Sequence, residues 1–295
     1  MATEQTTIQL PSRYEQLRST AEEIRETPKA FVGLTLLTAI TVISVLGPYF
    51  VPYDPTSIHS GHILEGPSAQ FLLGTDALGR DLLSRVIIGG RTSLLLGFGS
   101  VGLALGLGIP IGLTAGYTHG KVDEVIMRAM DLLMSIPTLL LGLLILTALS
   151  SNVWNAIFAV GIVYAPRIAR VVRSATLEES NSEYVQSAKA QGESTPYILF
   201  GEILPNITAP ILVEGSIRIG FAILIGSSLS FLGLGAQPPN PDWGYMINTA
   251  RGHIFESAWF LLWPSIALTL TVFSVNMLGD GLRDVFDTKY GGDEL

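Results

Sequence analysis

The chain has 295 residues, of which 48% are hydrophobic and 14% charged, and its formal net charge is −8. Soluble domains average about 25% charged residues, so this composition argues against an ordinary soluble domain. The sequence contains no cysteine, which excludes a disulfide framework and a thiolate metal site.

Five long windows of the sequence contain no Asp, Glu, Lys, Arg or His. They are residues 31–50, 92–118, 132–166, 219–241 and 257–279. A bilayer core of about 30 Å requires roughly 20 apolar residues as helix, and the third window is long enough for two spans with a turn between them. We therefore predict an all-α, polytopic membrane protein with six transmembrane helices. A soluble core helix for each window is the alternative.

The N-terminal tail, residues 1–30, is polar and carries Arg13, Arg18 and Arg25 ahead of the first predicted span at residues 31–50. A signal peptide would have a shorter apolar stretch and a small-residue cleavage site, so we expect a retained helix. With the N-terminus inside, twelve Lys and Arg residues fall in inner segments and four in outer segments. Because Lys and Arg favour the cytoplasmic side, we predict that both termini are cytoplasmic, N-in and C-in.

The spans divide the rest of the chain into loops and a core. We predict an extracellular loop over residues 51–91 and a core of five transmembrane helices over residues 92–280. Within that core a long cytoplasmic loop covers residues 172–205. Residues 281–295 are predicted to form a cytoplasmic C-terminal tail.

Charged residues in the extracellular loop follow a regular pattern. Asp76, Arg80, Asp81 and Arg85 alternate in sign over ten residues. This alternation predicts a helix laced with salt bridges at the outer surface.

Two further patterns bear on packing within the membrane. Gly102 and Gly106 form a G-x-x-x-G pair, whose small face allows close helix approach, and Pro137 can kink its helix. Trp243 lies where an outer interfacial belt of aromatic residues is expected.

The long cytoplasmic loop contains the stretch EYVQSAKAQGESTPYILFGEILPN, residues 183–206. Val185, Ala188 and Gly192 follow one another at spacings of three and four, so they share one helical face made of small residues. Gly192 permits a sharp turn, and Pro196 suits the first turn of a second helix. Such a helix-turn-helix knob is suited to docking into a groove on a partner protein. A helix lying on the lipid surface is the alternative.

This stretch resembles the EAA loop of ABC importer permeases. The pattern of that loop is E-A-A, three residues, Gly, nine residues and I-x-L-P, and here it reads Gln186-Ser187-Ala188, then Gly192, then Ile203-Leu204-Pro205. Gln186 and Ser187 depart from the Glu-Ala consensus. Glu202 takes the consensus Ile position, and Ile203 stands one place later.

Four other stretches are similar to the dipeptide, oligopeptide and nickel branch of these permeases. LLGTDALGRDLLSRVIIGGRTSLLLG, residues 72–97, resembles the GTD-x-x-GRD-x-x-SR motif of that branch, and GYTHGKVDEVIMRAMDLLMSIPTLLL, residues 116–141, resembles its inner loop and third span. SFLGLGAQPPNPDWGYMI, residues 230–247, and NMLGDGLRDVFD, residues 276–287, resemble its last outer loop and C-terminal tail. The chain looks like the "C" permease subunit of the branch.

The resemblance implies the fold and partners of a type I ABC importer permease. In such importers two homologous six-helix permeases form a translocation path, two ATPase subunits drive it, and an extracellular solute-binding protein delivers a peptide or similar solute. The chain is then expected to be a multi-pass subunit of the cell membrane, surrounded by lipid and without a nucleic-acid partner. The residues that the resemblance implies for coupling to the ATPases are Tyr184, Val185, Gln186, Ser187, Ala188, Lys189, Gly192, Leu204 and Pro205.

Motifs for chemistry on this chain are missing from the sequence. It contains no G-x-x-x-x-G-K-[ST] motif, so it lacks the backbone cradle that binds nucleotide phosphates. We therefore expect no cofactor and no enzymatic activity on this chain, with ATP and Mg bound by the partner ATPases. His59 and His62 are three residues apart without an obvious third ligand, so we expect an ordinary polar loop rather than a metal site.

One pair of charges is predicted to lie inside the membrane. Glu214 and Arg218 are four residues apart near the start of the fifth span. Charges inside lipid are costly and usually face a partner or a water-filled path, so we expect a buried ion pair or a part of the translocation path. The alternative functions are a stand-alone secondary transporter, which needs such residues for its coupling ions, and an intramembrane hydrolase, for which the sequence offers no nucleophile and base.

Overall fold

The structure is a computed structural model that describes residue 23 and residues 25–290. Arg13, Arg18 and most of the predicted N-terminal tail lie outside the described residues. The helices, in chain order, are α1 (Pro28–Leu46), α2 (Leu82–Thr118), α3 (Gly120–Ser135), α4 (Thr138–Ala148), α5 (Val153–Glu179), α6 (Glu183–Ala190), α7 (Thr208–Phe231), α8 (Trp243–Ala250) and α9 (Ala258–Tyr290). Shorter helical turns cover Gly47–Tyr49, Thr195–Tyr197, Ile198–Ile203, Leu204–Asn206 and Arg251–His253. The described part of the chain contains no strand, so the predicted all-α class is confirmed.

Five of these helices, α1, α2, α5, α7 and α9, are long and apolar enough to cross a membrane. The consecutive helices α3 and α4 meet these criteria only as a pair, and they bend by 92° at the break between them. Pro137 lies at this break, and Ile136 before it is extended, as is usual for a residue that precedes proline. The six predicted spans therefore correspond to five continuous helices and one sharply bent pair.

A close helix contact joins α2 to α5 through three glycines spaced by four. A Cβ at Gly108, Gly112 or Gly116 would lie 2.9 Å or less from backbone carbonyl oxygens of α5. Small residues allow this close approach. In the described part of the chain, an added Cβ at Gly102 or Gly106 would meet no atom within 4 Å apart from the nearby backbone of α2, so the contact uses a different face of α2.

The loop before α2 differs from the helix predicted there. Asp76, Asp81 and Arg85 are at most 1% exposed, and α2 begins only at Leu82, after these aspartates. The side chain of Asp81 caps α2 by accepting a hydrogen bond from the backbone N–H of Ser84 at 2.8 Å. Asp76, Arg80 and Asp81 therefore lie in a turn rather than in a surface helix. Arg85, in the first turn of α2, reaches back to Asp76 and to the carbonyl oxygen of Pro55.

Helix α8 is held against α2 by a buried polar contact. Asp242 caps α8 by accepting from the backbone N–H of Tyr245 at 3.0 Å, and it also accepts from the hydroxyl of Ser93 at 3.2 Å. Burial raises the pKa of the Asp242 carboxyl. Trp243 is 2% exposed and donates its indole N–H to the carbonyl oxygen of Val86 at 2.8 Å. Trp243 is therefore a core residue and not part of an interfacial belt.

Several predicted loop bounds shift because the helices extend further. Helix α2 begins within the predicted loop 51–91, and α5 continues to Glu179 within the predicted loop 172–205. Helix α9 runs through Tyr290, so the described part of the predicted tail 281–295 is helical. The segment between α5 and α7 therefore covers residues 180–207.

Candidate functional site

Helix α6 lies in the segment between α5 and α7, and its apolar side chains fix it to the rest of the chain. Val185 is completely buried and Ala188 is 7% exposed, and both pack in the main hydrophobic core, which includes Val172 of α5. An eight-residue helix is not stable alone and depends on such packing. Two members of the predicted small-residue face, Val185 and Ala188, therefore pack on this chain, whereas the third, Gly192, is exposed. Gln186, Ser187 and Lys189 lie on the exposed side.

Polar contacts join the start of α6 to the end of α5. The Tyr184 hydroxyl donates to Glu179 Oε1 at 2.7 Å, and the Gln186 amide donates to the carbonyl oxygen of Ser180 at 3.0 Å. Desolvation and the hydrogen bond to Glu179 raise the pKa of Tyr184 to about 12. The Lys189 ammonium lies 4.8 Å from the ring centroid of Tyr117 at the end of α2. Helix α6 is thus connected to both α5 and α2.

Gly192 ends α6 in the left-handed conformation that the predicted turn requires. Its φ is +81°, and its N–H donates to the carbonyl oxygen of Lys189 at 3.1 Å, while the N–H of Glu193 donates to that of Ala188 at 3.2 Å. These two bonds form a Schellman motif, which satisfies carbonyl groups at the end of the helix. Among the described residues, none beyond its two chain neighbours has an atom within 4 Å of an added Cβ at Gly192, so backbone conformation and not close packing calls for the glycine.

The chain returns to α7 through a π-helical turn at Ile198–Ile203. Ile198, Leu199 and Ile203 are at most 7% exposed and belong to the same core as Val185. Leu204 is partly buried against this core, and Pro205 is exposed. Single π-helical turns are rare and often occur at functional sites. The segment is therefore anchored to the core at both of its ends.

The outer side of the return turn carries two aromatic residues that our sequence analysis missed. Tyr197 and Phe200 are each 49% exposed. Their spacing of three places them on one side of the turn, opposite to the buried side chains. Two aromatic residues three positions apart in a polar stretch were the sequence signal that could have identified this exposed pair. We use the name apex for the exposed set formed by Gln186, Ser187, Lys189, Gly192, Pro196, Tyr197 and Phe200.

Arginines of α5 hold the bent pair of helices. Arg173 forms two parallel hydrogen bonds with the Asp123 carboxylate of α3, each 2.5 Å long, and Arg170 contacts Asp131 at 2.5 Å. Such two-point arginine–carboxylate contacts are geometrically specific. Arg170 and Arg173 therefore brace α3 from within α5.

The predicted ion pair is present in α7. Arg218 Nε lies 2.5 Å from Glu214 Oε1, and the side chains are 21% and 15% exposed. Glu214 also forms part of the wall of a cavity of about 470 Å³ between α5, α7 and α9. The cavity is lined by Val171, Asn206, Ala209, Pro210, Val213, Glu214, Ile217, Arg283 and Phe286.

The histidines of the first loop have partners within that loop. His59 Nδ1 lies 3.2 Å from the carbonyl oxygen of Gly79, and His62 Nδ1 lies 2.9 Å from Glu65 Oε2. Among the residues that the structure describes, no three His, Cys, Asp or Glu side chains are grouped to hold a metal ion.

Comparison with known families gives two matches that cover most of the chain. Residues 108–292 match the binding-protein-dependent transport system inner membrane component, and residues 16–67 match the N-terminal TM domain of oligopeptide transport permease C. The chain belongs to this family of inner-membrane permeases. It is therefore a multi-pass protein of the cell membrane.

Curated relatives carry the names of permeases for small peptides. The di/tripeptide transport system permease protein DppC of Pseudomonas aeruginosa is 40% identical over 88% of this chain and 88% of its own length. The glutathione transport system permease protein GsiD of Pectobacterium atrosepticum is 41% identical over 90% of this chain and 88% of its own length.

A solved structure shows the fold of the permease. The methionine ABC transporter MetNI, in an inward-facing conformation, matches with a TM-score of 0.56 and 20% identity over 68% of this chain and 96% of that chain. At this identity the likeness shows the fold alone, which is the predicted type I ABC importer permease fold.

Proposed function

We propose that this permease forms half of the translocation path of an ATP-driven importer for di- or oligopeptides or a similarly sized solute. The observation that carries the proposal is the segment between α5 and α7, which is anchored in the core by Val185 and Ile203 and presents the apex outward. The names of the relatives, which refer to dipeptides, di- and tripeptides and glutathione, support a peptide as the solute.

We propose an orientation in which both termini and the apex are cytoplasmic. The excess of Lys and Arg in the segments that this orientation places inside supports it. The first loop and α8 then face the outside, where an extracellular solute-binding protein would deliver its ligand.

The proposed assembly contains four further chains. A second, homologous permease completes the path, two ATPase subunits bind ATP and Mg, and the solute-binding protein completes the importer. The sequence of this permease has no phosphate-binding motif, which supports the placement of ATP hydrolysis on the partners. This permease itself then performs no covalent chemistry.

The proposed coupling uses the two sides of the segment for different tasks. The apex contacts an ATPase, and exposed aromatic side chains such as Tyr197 and Phe200 often dominate the affinity of an interface. The buried side chains transmit the movement of the apex to α5 and α7, because a close-packed core transmits displacement. A change in the ATPase pair would in this way shift the permease between inward- and outward-facing states.

Copurification tests this proposal. The tagged permease is expressed with its neighbouring transport genes, purified in mild detergent as wild type, Phe200→Arg and Phe255→Arg, and its bound chains are identified. We expect wild type and Phe255→Arg, which alters a fully exposed residue of another loop, to retain a second permease and the ATPases. Phe200→Arg should retain the second permease and lose the ATPases. A wild-type chain that purifies alone and moves solute on an ion gradient would contradict the proposal.

A further inference from the structure

Helix α3 lies between two sharp breaks in the backbone. Before it, His119 and Gly120 both have positive φ values, +52° and +63°. Positive φ is unfavourable for a residue that has a side chain, and backbone strain of this kind clusters at active sites and switch regions. After it, Ile136 is extended ahead of Pro137, and α4 leaves α3 at an angle of 92°. Both ends of α3 are therefore places where the direction of the chain changes abruptly.

Apolar packing does not hold α3 in place. The structure describes all 16 residues of α3, and none of them is buried or belongs to a hydrophobic cluster of the described chain. The next helix differs, because Leu141 and Leu146 of α4 are buried. Val125 and Leu132 of α3 are instead 69% and 71% exposed. Helix α3 is therefore fixed to the core less firmly than α4 is.

Ion pairs with α5 fasten α3 instead. Arg173 binds Asp123 through two hydrogen bonds, and Arg170 contacts Asp131 at 2.5 Å. The side chains of Arg170 and Asp131 are 52% and 50% exposed, and exposed ion pairs contribute little to stability. These contacts can therefore break and form again without disturbing the hydrophobic core.

The start of α3 lies beside the candidate functional site. The Lys189 ammonium of α6 is 4.8 Å from the ring centroid of Tyr117, which precedes the first backbone break by two residues. Helix α5, which carries Arg173, ends at Glu179, and Glu179 accepts a hydrogen bond from the hydroxyl of Tyr184 in α6. A displacement of α6 therefore reaches α3 along two routes, through the end of α2 and through α5.

We propose that α3 is a hinged arm, moved by α6, that opens and closes the cytoplasmic end of the translocation path. The arm turns about the two backbone breaks while Asp123 and Asp131 exchange their arginine partners for water. Charges are costly in lipid and usually face a water-filled space, and α3 carries five of them, Lys121, Asp123, Glu124, Arg128 and Asp131. The inference rests on the proposed function and adds the element that converts movement of an ATPase into opening of the path.

A distance measurement tests whether the arm moves. The chain has no cysteine, so spin labels can be attached at introduced cysteines, and the unsubstituted importer shows the background from the partner chains. One pair of exposed sites, Leu107→Cys with Val125→Cys, joins α2 to α3. The control pair, Leu107→Cys with Ser174→Cys, joins α2 to α5, which the glycine contact holds together. The complete importer is studied in lipid nanodiscs by double electron–electron resonance, with and without AMP-PNP and Mg.

We expect AMP-PNP to change the distance between positions 107 and 125 by at least about 5 Å, one helical turn. The distance between positions 107 and 174 should stay the same, because α2 and α5 move together. A constant distance to position 125 would overturn the inference. Equal changes in both distances would also overturn it, since they would show a movement of the whole bundle rather than of α3.

A cross-link tests whether the movement is required for transport. Asp123→Cys and Arg173→Cys are joined by a short bis-methanethiosulfonate linker, and the matched control joins Lys29→Cys to Asp284→Cys across an ion pair between α1 and α9. In proteoliposomes with the solute-binding protein, the link between positions 123 and 173 should abolish ATP-driven uptake of dialanine, and a reducing agent should restore it. The link between positions 29 and 284 should leave uptake unchanged. Full uptake with positions 123 and 173 linked would overturn the inference.

Uptake by the wild-type importer distinguishes this inference from the proposed function. If wild type takes up dialanine but either test overturns the hinged arm, the inference fails and the proposed function stands. If wild type shows no ATP-driven uptake of dialanine, the proposed function itself fails. If the unlinked variant with Asp123→Cys and Arg173→Cys is inactive, the distance measurement alone decides.

Discussion

Two polar stretches interrupt this hydrophobic chain, and the structure uses them in opposite ways. In the turn before α2, Asp76 accepts hydrogen bonds from two backbone N–H groups and pairs with Arg80 and Arg85, so the charges are buried. In the segment between α5 and α7 the apolar side chains are buried, and the polar and aromatic ones form the apex. The first stretch satisfies itself, whereas the second leaves groups available for a partner.

A charged stretch of sequence can therefore be either buried or exposed in the folded molecule. Both stretches have turns, charged residues and glycine, and both lie between apolar spans. What separates them is which side chains are buried: the charged ones in the first stretch and the apolar ones in the second. Changes in the first stretch should therefore act on stability, and changes at the apex should act on assembly.

The largest expected effect is on stability, from Asp76→Ala. This change leaves Arg85, which is 1% exposed, without its carboxylate. Breaking a buried pair by removing one partner costs about 3–5 kcal/mol, so we expect a clear fall in the thermal midpoint of the purified permease. Asp54→Ala is the comparison: this exposed carboxyl of the same loop accepts hydrogen bonds from the N–H and hydroxyl of Thr56, and its loss should lower the midpoint far less than Asp76→Ala does. Equal effects of the two changes would contradict the distinction.

The next effect concerns assembly, from the double change Tyr197→Ala and Phe200→Ala. Removal of aromatic anchors at an interface costs about 2 kcal/mol or more, so we expect the affinity for the ATPase to fall at least about thirtyfold. The thermal midpoint of the isolated permease should not change. Ile198→Ala, on the buried side of the same turn, should instead lower the midpoint. A double variant that loses stability and keeps the ATPase would reverse the assigned roles.

A smaller effect follows from Gly192→Ala. Alanine at a φ of +81° costs about 1–2 kcal/mol, and the surrounding space contributes nothing because no atom is within 4 Å. We expect faster proteolysis within residues 183–206 and weaker ATPase binding. Gly192→Asn is the control, because asparagine tolerates this conformation better. If the alanine variant resisted proteolysis as well as wild type, the turn would not depend on this glycine.

The smallest effect depends on pH, at Tyr184. The folded-state pKa of about 12 lies above the usual value of 10, so the protonated phenol stabilises the fold fully below pH 10. That stabilisation is lost as the pH rises towards 12. At pH 9 the free energy of unfolding of wild type should exceed that of Tyr184→Phe by about 1 kcal/mol, which a higher thermal midpoint would show. This difference should disappear near pH 12. A difference that stays constant with pH would show that the hydrogen bond from Tyr184 to Glu179 does not stabilise the fold.

Much of the fold was predictable from the sequence, because lipid requires long uncharged helices. The uncharged windows located the spans, and the Gly192 turn followed from the absence of a side chain. The bend at Pro137 was predicted only as a kink, since its size depends on the packing of α3 against Arg170 and Arg173. That packing joins residues about 40–50 positions apart, which no local pattern contains.

The helix of the candidate site was predicted from the sequence, but the direction of its faces was not. The pattern around Val185 and Ala188 identified a helix with a small-residue face. The spacing of these residues alone does not say whether the face packs on this chain or on a partner protein. Val185 and Ala188 face inward because a short helix needs a core contact, whereas Gly192 at the end of the helix is exposed. Tyr197 and Phe200 were missed because the family pattern assigns these positions no role.

The most direct test of the account places a photoreactive residue on the apex. Benzoylphenylalanine replaces Tyr197 in the intact importer, or Leu262, an exposed residue near the start of α9, as the control. We predict that illumination links position 197 to an ATPase subunit and that position 262 gives no such product. An ATPase linked from position 262 and not from 197, or an intact importer in which position 197 reaches no ATPase, would contradict the central claim.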